Sequence, residues 1–92
     1  MEIQIFGKND CGKCRTAKSR IHHLIEKAAN CNEIKFSFLD METAEGLALG
    51  MFYDVYDIPT TIVRHNEEEV ARWNGKPPLS KEVEALLSEV YG

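Results

Sequence analysis

The stretch Gly7-Lys8-Asn9-Asp10-Cys11-Gly12-Lys13-Cys14-Arg15-Thr16-Ala17-Lys18 decides the fold, because it joins a strand pattern to a helix pattern through two closely spaced cysteines. Upstream, Ile3, Ile5 and Phe6 form a short apolar strand that stops at Gly7, and Gly7 to Asp10 reads as a loop. Downstream, Ala17, Ile21, Leu24, Ile25 and Ala28 fall on one face of a helix. Lys18, Arg20, His22, His23 and Lys27 lie largely elsewhere around it, and Asn30 is the expected stop.

Farther along, Ile34, Phe36 and Phe38 alternate with Lys35 and Ser37, which predicts a second strand running to Leu39. Asp40 is expected to cap the next helix, with Glu42 and Glu45 in its first turns. Ala44, Leu47, Ala48, Met51 and Phe52 carry helical spacing there, while Gly46 and Gly50 each cost about 1 kcal/mol relative to Ala. After Asp57-Ile58-Pro59, the β-branched run Thr60 to His65 and the segment Glu68 to Trp73 flank Asn66-Glu67 and predict a hairpin. Asn74-Gly75-Lys76-Pro77-Pro78 is a loop, and Ser80 is expected to cap a last helix with Val83, Leu86, Leu87 and Val90 on its apolar face. The order β-α-β-α-β-β-α predicts an α/β fold: one domain over residues 1–92, a mixed four-stranded sheet flanked by three helices.

Composition narrows the function classes. The chain has 92 residues, 43% of them hydrophobic, and a net charge of −4, values that argue for a folded domain and against a disordered segment. No apolar run approaches the ~20 residues of a membrane-spanning helix. Met1-Glu2-Ile3-Gln4-Ile5-Phe6 lacks the basic start and long apolar core of an export signal, so a cytoplasmic, reducing compartment is expected. There, paired cysteines are more often catalytic or metal-binding than structural. Residues 1–27 hold six Lys or Arg against three Asp or Glu, whereas the rest of the chain is strongly acidic. This basic excess surrounds the cysteines, where positive potential favours a thiolate; a solvated helix face is the alternative reading. The overall acidity argues against general nucleic-acid binding.

Cys11 falls where the loop turns into the helix, so the free N–H groups and the positive end of the helix dipole favour its thiolate. With two residues between them, Cys14 can reach Cys11 and resolve a mixed disulfide. Cys11 is expected to be the exposed member and Cys14 the shielded one. Gly12 leaves the approach open, and Lys13 and Lys8 add nearby positive charge. A structural pair or half of a zinc site are the alternatives, which the placement between a strand and an amphipathic helix disfavours. Cys31 is expected to be a small buried hydrophobe, or else a regulatory thiol. His22 and His23 are expected at the surface, His65 solvated at the hairpin tip, and Trp73, Tyr53, Tyr56 and Tyr91 in packing roles. Glu67-Glu68-Glu69 reads as a charged edge strand.

With CxxC after the first strand and Asp57-Ile58-Pro59-Thr60-Thr61 opening the third, the whole chain resembles the thioredoxin/glutaredoxin superfamily. The resemblance implies the thioredoxin fold, a cis peptide bond before Pro59 facing the cysteines, and an Ile58 backbone that pairs with a docked substrate. Gly75 resembles the family glycine that lets backbone approach the site, with an ordinary turn glycine as the alternative. The short N-terminus and Lys8 are similar to small glutaredoxin-like redoxins. Ile58 before the proline is thioredoxin-like, and Asn74-Gly75-Lys76-Pro77-Pro78 replaces the glutathione-holding segment of glutaredoxins. Ile5 stands where thioredoxins carry a buried acid, with Asp10 as a possible substitute.

The function expected is thiol–disulfide exchange by Cys11 and Cys14, with Ile58, Pro59, Lys8, Lys13 and Gly75 at the substrate. No cofactor, metal, nucleic acid or membrane is expected. The partners implied are disulfide-containing proteins or small thiols and a reductase that returns electrons to a monomeric protein. Two other classes stay open. The run Cys11 to Lys18 also resembles arsenate-reductase-like transcription regulators, which bind RNA polymerase but are longer. The CxxC could also hold a metal.

Overall fold

The computed structural model describes residues 1–91. It contains β1 (Glu2–Gly7), α1 (Gly12–Lys27), a short 3-10 turn (Cys31–Glu33), β2 (Lys35–Asp40), α2 (Ala44–Phe52), β3 (Thr60–His65), β4 (Glu68–Asn74) and α3 (Ser80–Tyr91). The sheet order is β2-β1-β3-β4. β1 and β2 are parallel, as their connection through α1 requires, and β3 runs antiparallel to both β1 and β4. Asn66 and Glu67 form the two-residue hairpin loop, both with left-handed backbone angles (φ 53° and 67°).

Alternation along the strands divides the core between the two faces of the sheet. Ile3, Ile5, Val63 and Trp73 pack with Ala17, Ile21 and Leu24 of α1 and Val83 of α3. Phe6, Ile62 and Val55 form a smaller cluster with Leu39, Met41, Leu49 and Tyr53.

The second helix forms where expected but turns the other way. Its buried residues are Gly46 and Gly50, while Leu47, Met51 and Phe52 are 49%, 71% and 76% exposed. Close approach is the reason. A Cβ on Gly46 would collide with the Asp40 carbonyl, and one on Gly50 would meet the Met41 side chain. The glycines that weaken the helix in isolation are thus the face that lets it lie against β2.

The helix caps also differ from expectation. Thr43, not Asp40, caps α2: its hydroxyl accepts the Gly46 N–H at 3.0 Å and donates to the Asp40 carbonyl at 2.7 Å. The Asp40 carboxylate instead accepts the Glu42 N–H at 2.9 Å, tightening the turn before the helix. Ser80 lies inside α3, because the Leu79 carbonyl already accepts the N–H groups of Glu82 and Val83.

Three side-chain placements need correction. Cys31 is exposed, since it opens the 3-10 turn after α1 rather than the apolar face of the helix. Tyr56 is 85% exposed, its hydroxyl donating to Asp54. His65 is half-buried, with Nδ1 shielded from solvent and unpartnered.

Candidate active site

One end of the sheet gathers the residues singled out by sequence. β1 ends at Gly7, β3 begins beside it with Phe6 opposite Thr60, and β4 ends with Asn74 opposite Thr60. The loop carrying Lys8 and Asp10, the start of α1, Ile58–Pro59 and Gly75 therefore meet at this end. Lys8 and Lys13 are both exposed there.

Cys11 is the N-cap of α1. Its backbone is extended (φ −106°, ψ 119°), its carbonyl accepts the Arg15 N–H at 3.1 Å, and its sulfur accepts the Cys14 N–H at 3.2 Å. The sulfur thus takes the place that a serine or aspartate oxygen fills in an ordinary capped helix. No acidic residue occupies the first turn of α1 to oppose a negative charge on it.

The two thiols are driven in opposite directions. Cys11 is lowered from its ordinary value, chiefly by a hydrogen bond from the Cys14 thiol, with the backbone N–H groups of Cys14 and Lys13 adding to it; burial and Asp10 oppose the shift. Cys14, fully buried, is raised by desolvation first and by its hydrogen bond to Cys11 second. The backbone N–H of Lys8 acts on Cys14 in the lowering direction. Cys11, half-exposed, is thus the thiol that ionises more readily, and Cys14, fully buried, the one that holds its proton more tightly.

The opposite rim is built by the segment that enters β3. The Ile58–Pro59 peptide is cis and Pro59 is fully buried, while Ile58 stays half-exposed. The Thr60 hydroxyl donates to the Asp57 carbonyl at 2.6 Å and ties the segment down. Gly75 (φ +72°) lies against Asp57: a Cβ there would sit 3.3 Å from the Asp57 Cβ. Both the backbone angle and the contact favour glycine at this position. Cavities of about 450, 680 and 260 Å³ lie elsewhere and are lined by none of Cys11, Cys14, Ile58 or Pro59. Among the described residues, no three His, Cys, Asp or Glu side chains converge as a metal site would require.

The sequence matches the model of a thioredoxin domain family over residues 1–88. The chain belongs to the thioredoxin family. Solved structures similar to it include a malarial protein (20% identity, TM-score 0.79, 99% of this chain and 97% of that one). Thioredoxin O2 from Arabidopsis thaliana, in its oxidised state, is 16% identical with a TM-score of 0.79, over 99% of this chain and 75% of that one. Thioredoxin 1 from the thermophilic eubacterium Thermosipho africanus is 21% identical with a TM-score of 0.71, over 99% and 93%. At these identities the likeness is one of fold. No curated protein matches the sequence.

This thioredoxin-family chain also carries site features that its sequence did not announce. Phe38, read only as a strand residue, comes close to the end of β1, its Cε1 3.5 Å from where a Cβ on Gly7 would sit, and the Lys18 ammonium sits 4.1 Å from the centre of its ring. The strand alternation placed Phe38 on the α1 face, which was the available signal. Asp57, beside the Ile58 backbone, had none.

Proposed function

We propose that this protein is a dithiol–disulfide oxidoreductase in which Cys11 attacks and Cys14 resolves. The observation that carries this reading is the Cys11 sulfur at the N-cap of α1, accepting the Cys14 N–H, with a buried Cys14 thiol beside it.

The Cys11 thiolate attacks one sulfur of a substrate disulfide; the S–S bond breaks, and the departing sulfur leaves with the electron pair and takes a proton from solvent. Cys14 then gives up its proton, and its thiolate attacks the Cys11 sulfur of the mixed disulfide. A Cys11–Cys14 disulfide forms, the second substrate sulfur leaves as a thiolate, and two electrons have passed to the substrate. A reductase or a small thiol returns them.

Ile58 and Pro59 form the surface on which a substrate strand docks, with Gly75 keeping the neighbouring loop close and Lys8 and Lys13 on the cysteine side. Disulfide-bearing polypeptides in a reducing compartment are the substrates that fit best. The site is open, and Tyr56, two residues before Ile58, offers an exposed aromatic ring. A zinc reading is weaker because the pair supplies two of the four ligands of a closed site.

Reduction of insulin disulfides with dithiothreitol as electron source tests the proposal. The wild type should accelerate the reaction and Cys11→Ser should not; equal rates for the two would overturn it.

A further inference from the structure

Gly7 ends β1 in regular register, opposite Asp40. Its backbone lies outside the left-handed region, so any residue could adopt its angles. Glycine weakens a strand at such a position, and usually marks a close approach by something else. Here that something is the resolving thiol. A Cβ on Gly7 would sit 2.6 Å from the Cys14 sulfur and 3.1 Å from the Cys14 Cβ, with Phe38 Cε1 at 3.5 Å on another side. By contrast, a Cβ on Gly12, between the cysteines, would approach nothing nearer than the Arg15 guanidinium at 3.9 Å.

We propose that Gly7 is a positioning residue for Cys14: its missing side chain holds the sulfur against the end of β1 and so sets how fast Cys14 closes on Cys11. The inference rests on the redox reading above and concerns only its second step. Carbon and sulfur in ordinary contact need about 3.5–4 Å. An alanine at position 7 therefore displaces the Cys14 sulfur by about 1 Å. Cys14 carries the thiol, so the displacement is felt where its thiolate must line up with the Cys11–substrate bond. A misplacement of that size costs up to about 100-fold in rate. Cys11, the N-cap of the helix, keeps the Cys14 N–H at its sulfur and the Arg15 N–H at its carbonyl, so the change reaches it only through the Cys14 thiol, whose hydrogen bond helps lower it.

A chromogenic aryl disulfide such as 5,5′-dithiobis(2-nitrobenzoate) separates the two steps, because one aryl thiolate leaves on attack by Cys11 and the second on resolution by Cys14. In stopped-flow measurements on the reduced protein carrying Cys31→Ser, which removes the exposed third thiol, Gly7→Ala should slow the second phase by about 10- to 100-fold and the first by much less. An unchanged second phase, or both phases slowed alike, overturns the proposal. If Gly7→Ala alone does not fold, Gly7→Ala with Phe38→Leu frees space around the new methyl, and the same split between phases is required of it. The Cys11→Ser control keeps the two ideas apart: loss of the first phase there upholds the redox reading whatever Gly7→Ala does.

Discussion

Cys11 has a structural duty and a chemical one, and substitution can divide them. A serine keeps an oxygen to accept the Cys14 N–H, whereas an alanine leaves that donor unpartnered. Cys11→Ser is therefore expected to unfold within about 0.5 kcal/mol of wild type, and Cys11→Ala to lose about 1 kcal/mol, as read by urea denaturation of the reduced proteins. Both should be inactive. The opposed shifts of the two thiols also fix a pH dependence. The thiolate is the reacting form, so lowering the Cys11 value raises its reactive fraction at a given pH. Alkylation of Cys11 by iodoacetamide should reach half its maximal rate at a lower pH than a free cysteine does, and alkylation of Cys14 at a higher one. Mass spectrometry of the alkylated peptides distinguishes the two sites.

Among the elements, α1 and the strands were legible because each carries its own period. Ala17, Ile21 and Leu24 recur as one helix stripe, and Ile3 and Ile5 alternate with Gln4. The second helix was legible in extent but not in orientation. Its large apolar residues outnumber its small ones, so periodicity favours Leu47 and Met51 as the inner face. Contact with the Asp40 carbonyl favours Gly46 instead, and contact wins because no larger side chain fits there. The cap at Thr43 was hidden for a related reason: Asp40 and Thr43 are both competent caps, and only the turn geometry between them assigns the role. Gly46→Ala is expected to cost more than about 3 kcal/mol, since the backbone of Asp40 must move to admit it. Gly12→Ala, in open space at the first turn of α1, should be neutral or add up to about 1 kcal/mol. Thermal unfolding of the two variants checks the contrast.

Over the whole molecule, the sheet aligns the end of β1, the start of β3 and the end of β4, and this brings residues from positions 7, 59 and 75 to one place. The cysteine pair and Pro59 could be read in sequence because each has a chemical signature. Gly7 could not, because its role is a contact made by the fold. The inverted α2 leaves Leu47, Met51 and Phe52 as exposed apolar surface, at no gain to the core. Replacing Met51 and Phe52 together by serine should change stability by no more than about 1 kcal/mol. Urea denaturation checks it. The central claim is that Cys11 and Cys14 exchange electrons as a pair. Equilibration of the protein across dithiothreitol redox buffers, followed by peptide mapping, tests it most directly. The expected result is a single reversible transition in which the chain loses two hydrogens and Cys11 is joined to Cys14, with Cys31 free throughout. A chain that forms no Cys11–Cys14 bond at any potential, or that joins Cys31 instead, would contradict it.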